Sequence, residues 1–233
     1  MLARLGFLIP LGALHRLFQP REVLLTYAVV GLVVLLPVSL LPGWRLILTV
    51  GGIAAAAAAV AGGGSVLVPG LFLVGFGAAR YGVESLLGLP TGRICAVLGA
   101  ATMLAVALNA LQIGKGADSD PWPAAVAGLA TAAAYVAAVV LLMRSRIRRA
   151  LCALAPLGRT ALTGYIAATL LILAADHLLQ IGDEPDYGMA FSVGAGVFLV
   201  EMAFSLLWLR RARYGPLEWV WRCLTWWRVM PNR

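Results

Sequence analysis

Residues 122–143 read WPAAVAGLATAAAYVAAVVLLM, and residues 144–149 then read RSRIRR. The first run carries no charge, and at 1.5 Å per residue it makes a helix about 33 Å long, enough to cross a hydrocarbon core of about 30 Å. The arginine cluster that stops it is the kind of signal that holds a helix end at one membrane face. Long apolar runs closed by arginines recur along the chain, at about 2–18, 23–41, 44–62, 65–82, 92–113, 160–181 and 187–209 as well. The expected fold class is therefore all-α: a polytopic membrane helix bundle of about eight transmembrane helices. Lipid admits only helices and closed barrels, and these runs are too long and continuous for barrel strands.

Composition agrees. Of 233 residues, 62% are hydrophobic and 12% charged, with a mean hydropathy of +0.93. Soluble domains are about 45–50% apolar and about 25% charged. So little polar surface cannot cover a soluble globule. One membrane domain, 1–233, is the simplest organisation.

The run at 2–18 is the weakest of the eight, with Pro10 inside it and Arg4 before it. It resembles a signal peptide, but no cleavage site follows, and a short or broken membrane helix is the better reading.

The net charge of +8 sits between the apolar runs and in the tail. This distribution is expected of topology signals rather than of a nucleic-acid-binding face. Arg45, Arg80, Arg93, the 144–149 cluster, Arg159 and the tail arginines all fall on one side of an eight-helix arrangement. That side is expected to be the cytoplasm of a bacterial inner membrane, with the C-terminus inside. Lys115, Asp118, Asp120, Asp183, Glu184 and Asp186 fall on the other. Arg16, Arg21 and Glu22 break the pattern.

Cys95, Cys152 and Cys223 are far apart and form no CxxC or Cys/His cluster. No metal and no cofactor are expected. Neither a Walker loop, a dinucleotide fingerprint, a serine elbow nor HExxH is present.

An ionisable group inside a span costs at least ~2.5 kcal/mol, so it usually has a use. Glu201 lies eight residues inside the end of its run, about 12 Å deep. It faces protein or a water-filled cavity as a proton or cation site, or serves as a structural carboxyl. His15, beside Arg16 at the end of the first run, is a candidate base. Asp176, His177 and Gln180 lie toward the outer end of the seventh run, and Asn109 and Gln112 toward that of the fifth. The two amides are expected to bond between helices. With His15, Asn109 and Asp176 would line an outer vestibule.

Gly158-Arg159-Thr160-Ala161-Leu162-Thr163-Gly164-Tyr165 opens the seventh run. Thr160 or a neighbour is expected to cap the helix, and a helix start beside Arg159 suits an anion. Beyond the last run comes Gly215-Pro216-Leu217-Glu218-Trp219-Val220-Trp221-Arg222-Cys223-Leu224-Thr225. Pro216 suits the first turn of a helix, and the tryptophans and Arg222 suit a membrane–water boundary.

These last two segments together resemble the YeiB-like family of bacterial membrane proteins (domain of unknown function 418). Gly12-Ala13-Leu14-His15 gives a weaker third match. The resemblance makes 150–233 the signature region and 1–149 the variable helices. Gly164 stands where the family usually has Asn, and Glu201 where Gln is common. Family members usually begin with further helices, so the chain is expected to match their C-terminal two-thirds.

The family is in turn similar to transmembrane acyltransferases. The resemblance therefore implies acyl-group transfer, with His15 as base and Arg159, Thr163, Tyr165, Glu201, Glu218, Trp219 and Arg222 as substrate or anion contacts. Its partners would be membrane lipids and an acyl donor. The alternatives are a small-solute transporter built on Glu201 and a non-catalytic partner subunit, either of them open to homo-oligomerisation.

Overall fold

A computed structural model describes residues 5–19, 23–41, 43–82, 85, 87–115, 120–179 and 187–232. Among them every regular element is helical. In chain order these are α1 (Leu8–His15), α2 (Leu24–Ser39), α3 (Trp44–Val60), α4 (Leu67–Tyr81, preceded by a 3-10 turn at Gly64–Val66), α5 (Thr91–Lys115), α6 (Trp122–Arg144), α7 (Arg148–Cys152), α8 (Ala155–Arg159), α9 (Ala161–Leu179), α10 (Tyr187–Leu209) and α11 (Pro216–Trp226).

Among the described residues, five stretches are long and apolar enough to cross a membrane: Gly64–Tyr81, Thr91–Gly114, Trp122–Arg144, Ala161–Leu179 and Tyr187–Leu209. The protein is a polytopic membrane helix bundle. The α2 and α3 helices are apolar but shorter, at 16 and 17 residues. The first expected span reduces to the eight residues of α1. Pro37 in the last turn of α2 and the positive-φ Gly43 before α3 shorten what the hydropathy pattern reads as full runs.

The chain forms two compact units. The second unit, Thr26–Arg148, holds α3 to α6 and nearly all of α2. Its centre is a close crossing of α3 and α4. A methyl group at Gly70 would lie 2.6 Å from the Ala55 backbone nitrogen, one at Gly51 2.8 Å from that of Val74, and one at Gly77 2.7 Å from Leu48 Cγ. Rising numbers on α3 meet falling numbers on α4, so the pair is antiparallel. Without Cβ atoms the backbones close to dispersion contact, which is what drives helix association where no hydrophobic effect operates. Gly62, Gly63 and Gly64 make the connecting turn with φ of 104°, 76° and 67°, a run that other residues rarely adopt.

Arginines tie down one end of this unit. Arg80 donates to the carbonyls of Ser39 (2.8 Å), the last residue of α2, and of Leu41 (2.5 Å) just beyond it. Arg144 donates to the carbonyls of Leu87 and Leu89 and lies 3.4 Å from Thr91 Oγ1. Carbonyls that helices leave unsatisfied at their C-termini are met by guanidinium groups.

The first unit joins Met1–Leu25 to Arg149–Arg233 and holds α1 and α7 to α11. Between α6 and α9 the basic stretch that begins at Arg144 continues into the two short helices α7 and α8. The two units differ in what they bury. Among the described residues, the buried apolar side chains run from Ala28 to Ala137, all in the second unit, whereas the buried polar ones are His15, Thr160 and Ser205, all in the first. Polar groups stay buried in lipid only when they are bonded, and such groups mark function more often than packing does.

Candidate functional site

The polar side chains of the first unit are strung along α9. At its start, the Glu218 carboxylate of α11 reaches across. Its Oε1 accepts hydrogen bonds from the backbone N–H groups of Leu162 (2.7 Å) and Thr163 (3.0 Å). Its Oε2 accepts from the Thr163 hydroxyl at 2.5 Å, and that hydroxyl in turn accepts from the Leu217 N–H at 3.1 Å. A carboxylate on the first N–H groups of a helix meets both their unsatisfied donors and the positive end of the helix dipole. The chain's own carboxylate therefore fills the position where the sequence suggests an external anion.

Thr160, the expected cap, turns away from this position. It is 1% exposed; its hydroxyl lies 2.7 Å from Ser205 Oγ and 3.1 Å from the Pro156 carbonyl. The Thr160–Ser205 bond joins the start of α9 to the last turns of α10.

One residue beyond Thr163, Gly164 faces Glu201. A methyl group built there would lie 3.5 Å and 3.6 Å from the two carboxylate oxygens. Glu201 Oε1 is buried, and no hydrogen-bond partner for it lies among the described residues.

His15 lies farther along. It is 4% exposed. Its Nε2 is 3.1 Å from Thr169 Oγ1, and its ring sits 5.0 Å from the Tyr165 ring. The Thr169 hydroxyl also lies 3.2 Å from Gln19 Oε1 and 3.4 Å from the Tyr165 carbonyl. That hydroxyl has one proton. When it goes to Gln19, His15 Nε2 is the donor; when it goes to His15, Nε2 is the acceptor.

His15 thus meets α9 (Ala161–Leu179) near its middle, at Thr169. Asp176 is exposed and lies seven residues beyond Thr169, roughly 10 Å along α9.

The remaining candidates gather at the arginine-bearing end. Arg159 donates to the Arg213 carbonyl at 2.8 Å. The Arg222 guanidinium stacks 4.3 Å from the Tyr214 ring centroid, Trp219 Nε1 donates to the Met230 carbonyl at 2.7 Å, and Trp208 Nε1 donates to the Tyr214 carbonyl at 2.9 Å. Asn232 closes the tail by accepting from the Tyr214 and Arg213 N–H groups. Trp219 is therefore a tail-holding residue, while Trp226 and Trp227 are exposed as a boundary anchor requires.

In the other unit, the Asn109 amide donates to the Ala105 carbonyl of its own helix at 2.8 Å, not to a neighbouring helix. Gln180, Arg21, Glu22, Asp118 and the acidic residues 183–186 lie outside the described residues. Sequence reasoning missed Thr169 and Gln19. Each is four residues from a residue of the same cluster, Tyr165 and His15 respectively, which is the helical spacing that puts side chains on one face.

A bundle of apolar helices, several of them long enough to cross a membrane, defines a polytopic membrane protein. Its family follows from comparison with other sequences. The chain belongs to the family described as Protein of unknown function (DUF418), whose model matches residues 71–228.

An uncharacterized 39.9 kDa protein in the amylase 3' region of Bacillus acidopullulyticus is 32% identical over 259 residues, covering 99% of this chain and 72% of that protein. The uncharacterized protein YeiB of Escherichia coli (strain K12) is 38% identical over 73 residues, 31% of this chain and 19% of YeiB. The uncharacterized protein YxaH of Bacillus subtilis (strain 168) is 36% identical over 98 residues, 39% of this chain and 23% of YxaH. No solved structure matches the chain.

Proposed function

We propose that the chain takes part in acyl-group transfer at a bacterial inner membrane, with His15 as the proton acceptor. The observation that carries this reading is the buried imidazole, 3.1 Å from a hydroxyl near the middle of α9, an apolar helix long enough to span a membrane. Histidine is the side chain best suited to exchange a proton near neutral pH. A base at Nε2 takes the proton of an acceptor hydroxyl as its oxygen attacks the acyl carbonyl; the proton then passes to the donor's leaving group. Arg159 and Arg222, at the other end of the same unit, suit the anionic part of a donor.

Reconstitution tests the reading. The purified chain is placed in vesicles with a labelled acyl thioester on one face and a sugar on the other. Label appearing in the sugar only when the chain is present supports it, and no transfer above empty vesicles refutes it.

The arginines gathered at one end of each unit support a cytoplasmic C-terminus. A tag on Arg233 is then labelled by an impermeant reagent only after cells are opened. Labelling in intact cells would reverse the orientation.

A second reading rests on Glu201, whose buried Oε1 faces Gly164. A carboxylate in a span can serve as a proton or cation site in solute transport. Glu201→Gln then abolishes the pH dependence of solute flux in vesicles. Flux and pH profile identical to wild type would leave Glu201 a packing residue.

A further inference from the structure

The second unit contains a cavity of ≈ 490 Å³ bounded by α3 to α6 and the segment leading into α5. Leu71, Val74, Val97, Ala133 and Val136 are among its walls, and Arg93 supplies the single charged group among the described lining residues. The volume lies within the range of about 300–1,000 Å³ typical of small-molecule pockets. On α6 the wall extends from Leu129 to Val140, roughly 16 Å along the helix axis. A long, apolar cavity with one cation at its end has the shape and charge of an extended hydrocarbon chain with an anionic head.

Arg93 differs from Arg45, Arg80 and Arg144 of the same unit. Arg80 and Arg144 are engaged by carbonyls, and Arg45 lies 5.3 Å from the Trp44 ring centroid. The Arg93 side chain is exposed and makes no hydrogen bond or ion pair with any described residue. It stands in the first turn of α5, where the positive end of the helix dipole adds to its charge.

We propose that this cavity holds one acyl chain of an anionic phospholipid, with the phosphate against Arg93. The bound lipid fills the space between α4, α5 and α6 and covers apolar side chains that the helices leave open. Arg93 selects the headgroup, and the cavity walls select for a chain that reaches inward. The proposal is independent of any chemistry at His15, and a His15→Ala protein binds the lipid as wild type does.

The test is native mass spectrometry of the full chain in mild detergent, titrated with phosphatidylglycerol or with phosphatidylcholine of the same two acyl chains. One arginine near an anionic headgroup is worth about a fivefold preference. Wild type is therefore expected to retain phosphatidylglycerol about fivefold more tightly than phosphatidylcholine. Arg93→Gln removes the preference while leaving residual binding of both. Ala133→Phe, a substitution on an exposed wall position that disturbs no core contact, blocks the chain and lowers retention of both lipids at least tenfold. Equal retention of the two lipids by wild type overturns the proposal. So does a headgroup preference that survives Arg93→Gln, or lipid retained unchanged by a folded Ala133→Phe protein.

Discussion

Replacing His15 with alanine lowers acyl transfer by about 10²–10⁴-fold, the usual contribution of a positioned general base. The expectation rests on three features of His15: its burial, the hydroxyl 3.1 Å from Nε2, and the Tyr165 ring that fixes the imidazole plane. Alanine removes the base and the packing together, so a second variant separates them. Glutamine can still bond to Thr169 Oγ1 but cannot accept a proton to the same end. If His15→Gln is as slow as His15→Ala while both proteins remain monodisperse in detergent, the lost function is proton transfer. Recovery of the wild-type rate by glutamine would make His15 a packing residue and remove it from the mechanism. Thr169→Val adds a further readout. It leaves Nε2 without its hydroxyl partner, and the transfer rate of the reconstituted chain should fall if that hydroxyl positions the base.

The legible part of the structure is what local chemistry dictates. The runs at 160–181 and 187–209 become α9 (Ala161–Leu179) and α10 (Tyr187–Leu209) because charge and hydropathy decide where a helix enters lipid. Pro216 starts α11 as its fixed φ allows. What could not be read is pairing at long range. His15 meets Thr169, 154 residues later, and Glu218 meets Leu162, 56 residues earlier. Helical periodicity ranks faces, but it does not say which helix covers them. The motif at 215–225 illustrates the gap. Its tryptophans and arginine look interfacial and draw attention to themselves, while its one carboxylate does the joining. Gly51, Gly70 and Gly77 carry no sequence signal of their partners, and only their opposition to Val74, Ala55 and Leu48 shows that they make a single crossing.

Glu218→Ala destabilises the first unit by about 3 kcal/mol. A lost helix cap costs typically ~1 kcal/mol, and a hydrogen bond to a charged group contributes about 1.5–3 kcal/mol. These terms overlap at one carboxylate, so they do not add in full. Three donors lose their acceptor at once: the Leu162 and Thr163 N–H groups and the Thr163 hydroxyl. Gln keeps one carbonyl oxygen and loses the charge, and a cost nearer ~1 kcal/mol is expected. Asp is one methylene shorter and should resemble Ala. Gly215→Ala acts from the other side, because a methyl group there meets Glu218 Oε2 and approaches Thr160 Cγ2 to 3.1 Å. It should displace the same carboxylate and weaken the same helix start. Equilibrium unfolding in mixed micelles measures the cost, and hydrogen exchange at Leu162 and Thr163 locates it. A Glu218→Ala protein as stable as wild type, with those two amides still protected, would mean that α9 finds another cap. The carboxylate would then be free for a role in binding or chemistry that its present hydrogen bonds deny it.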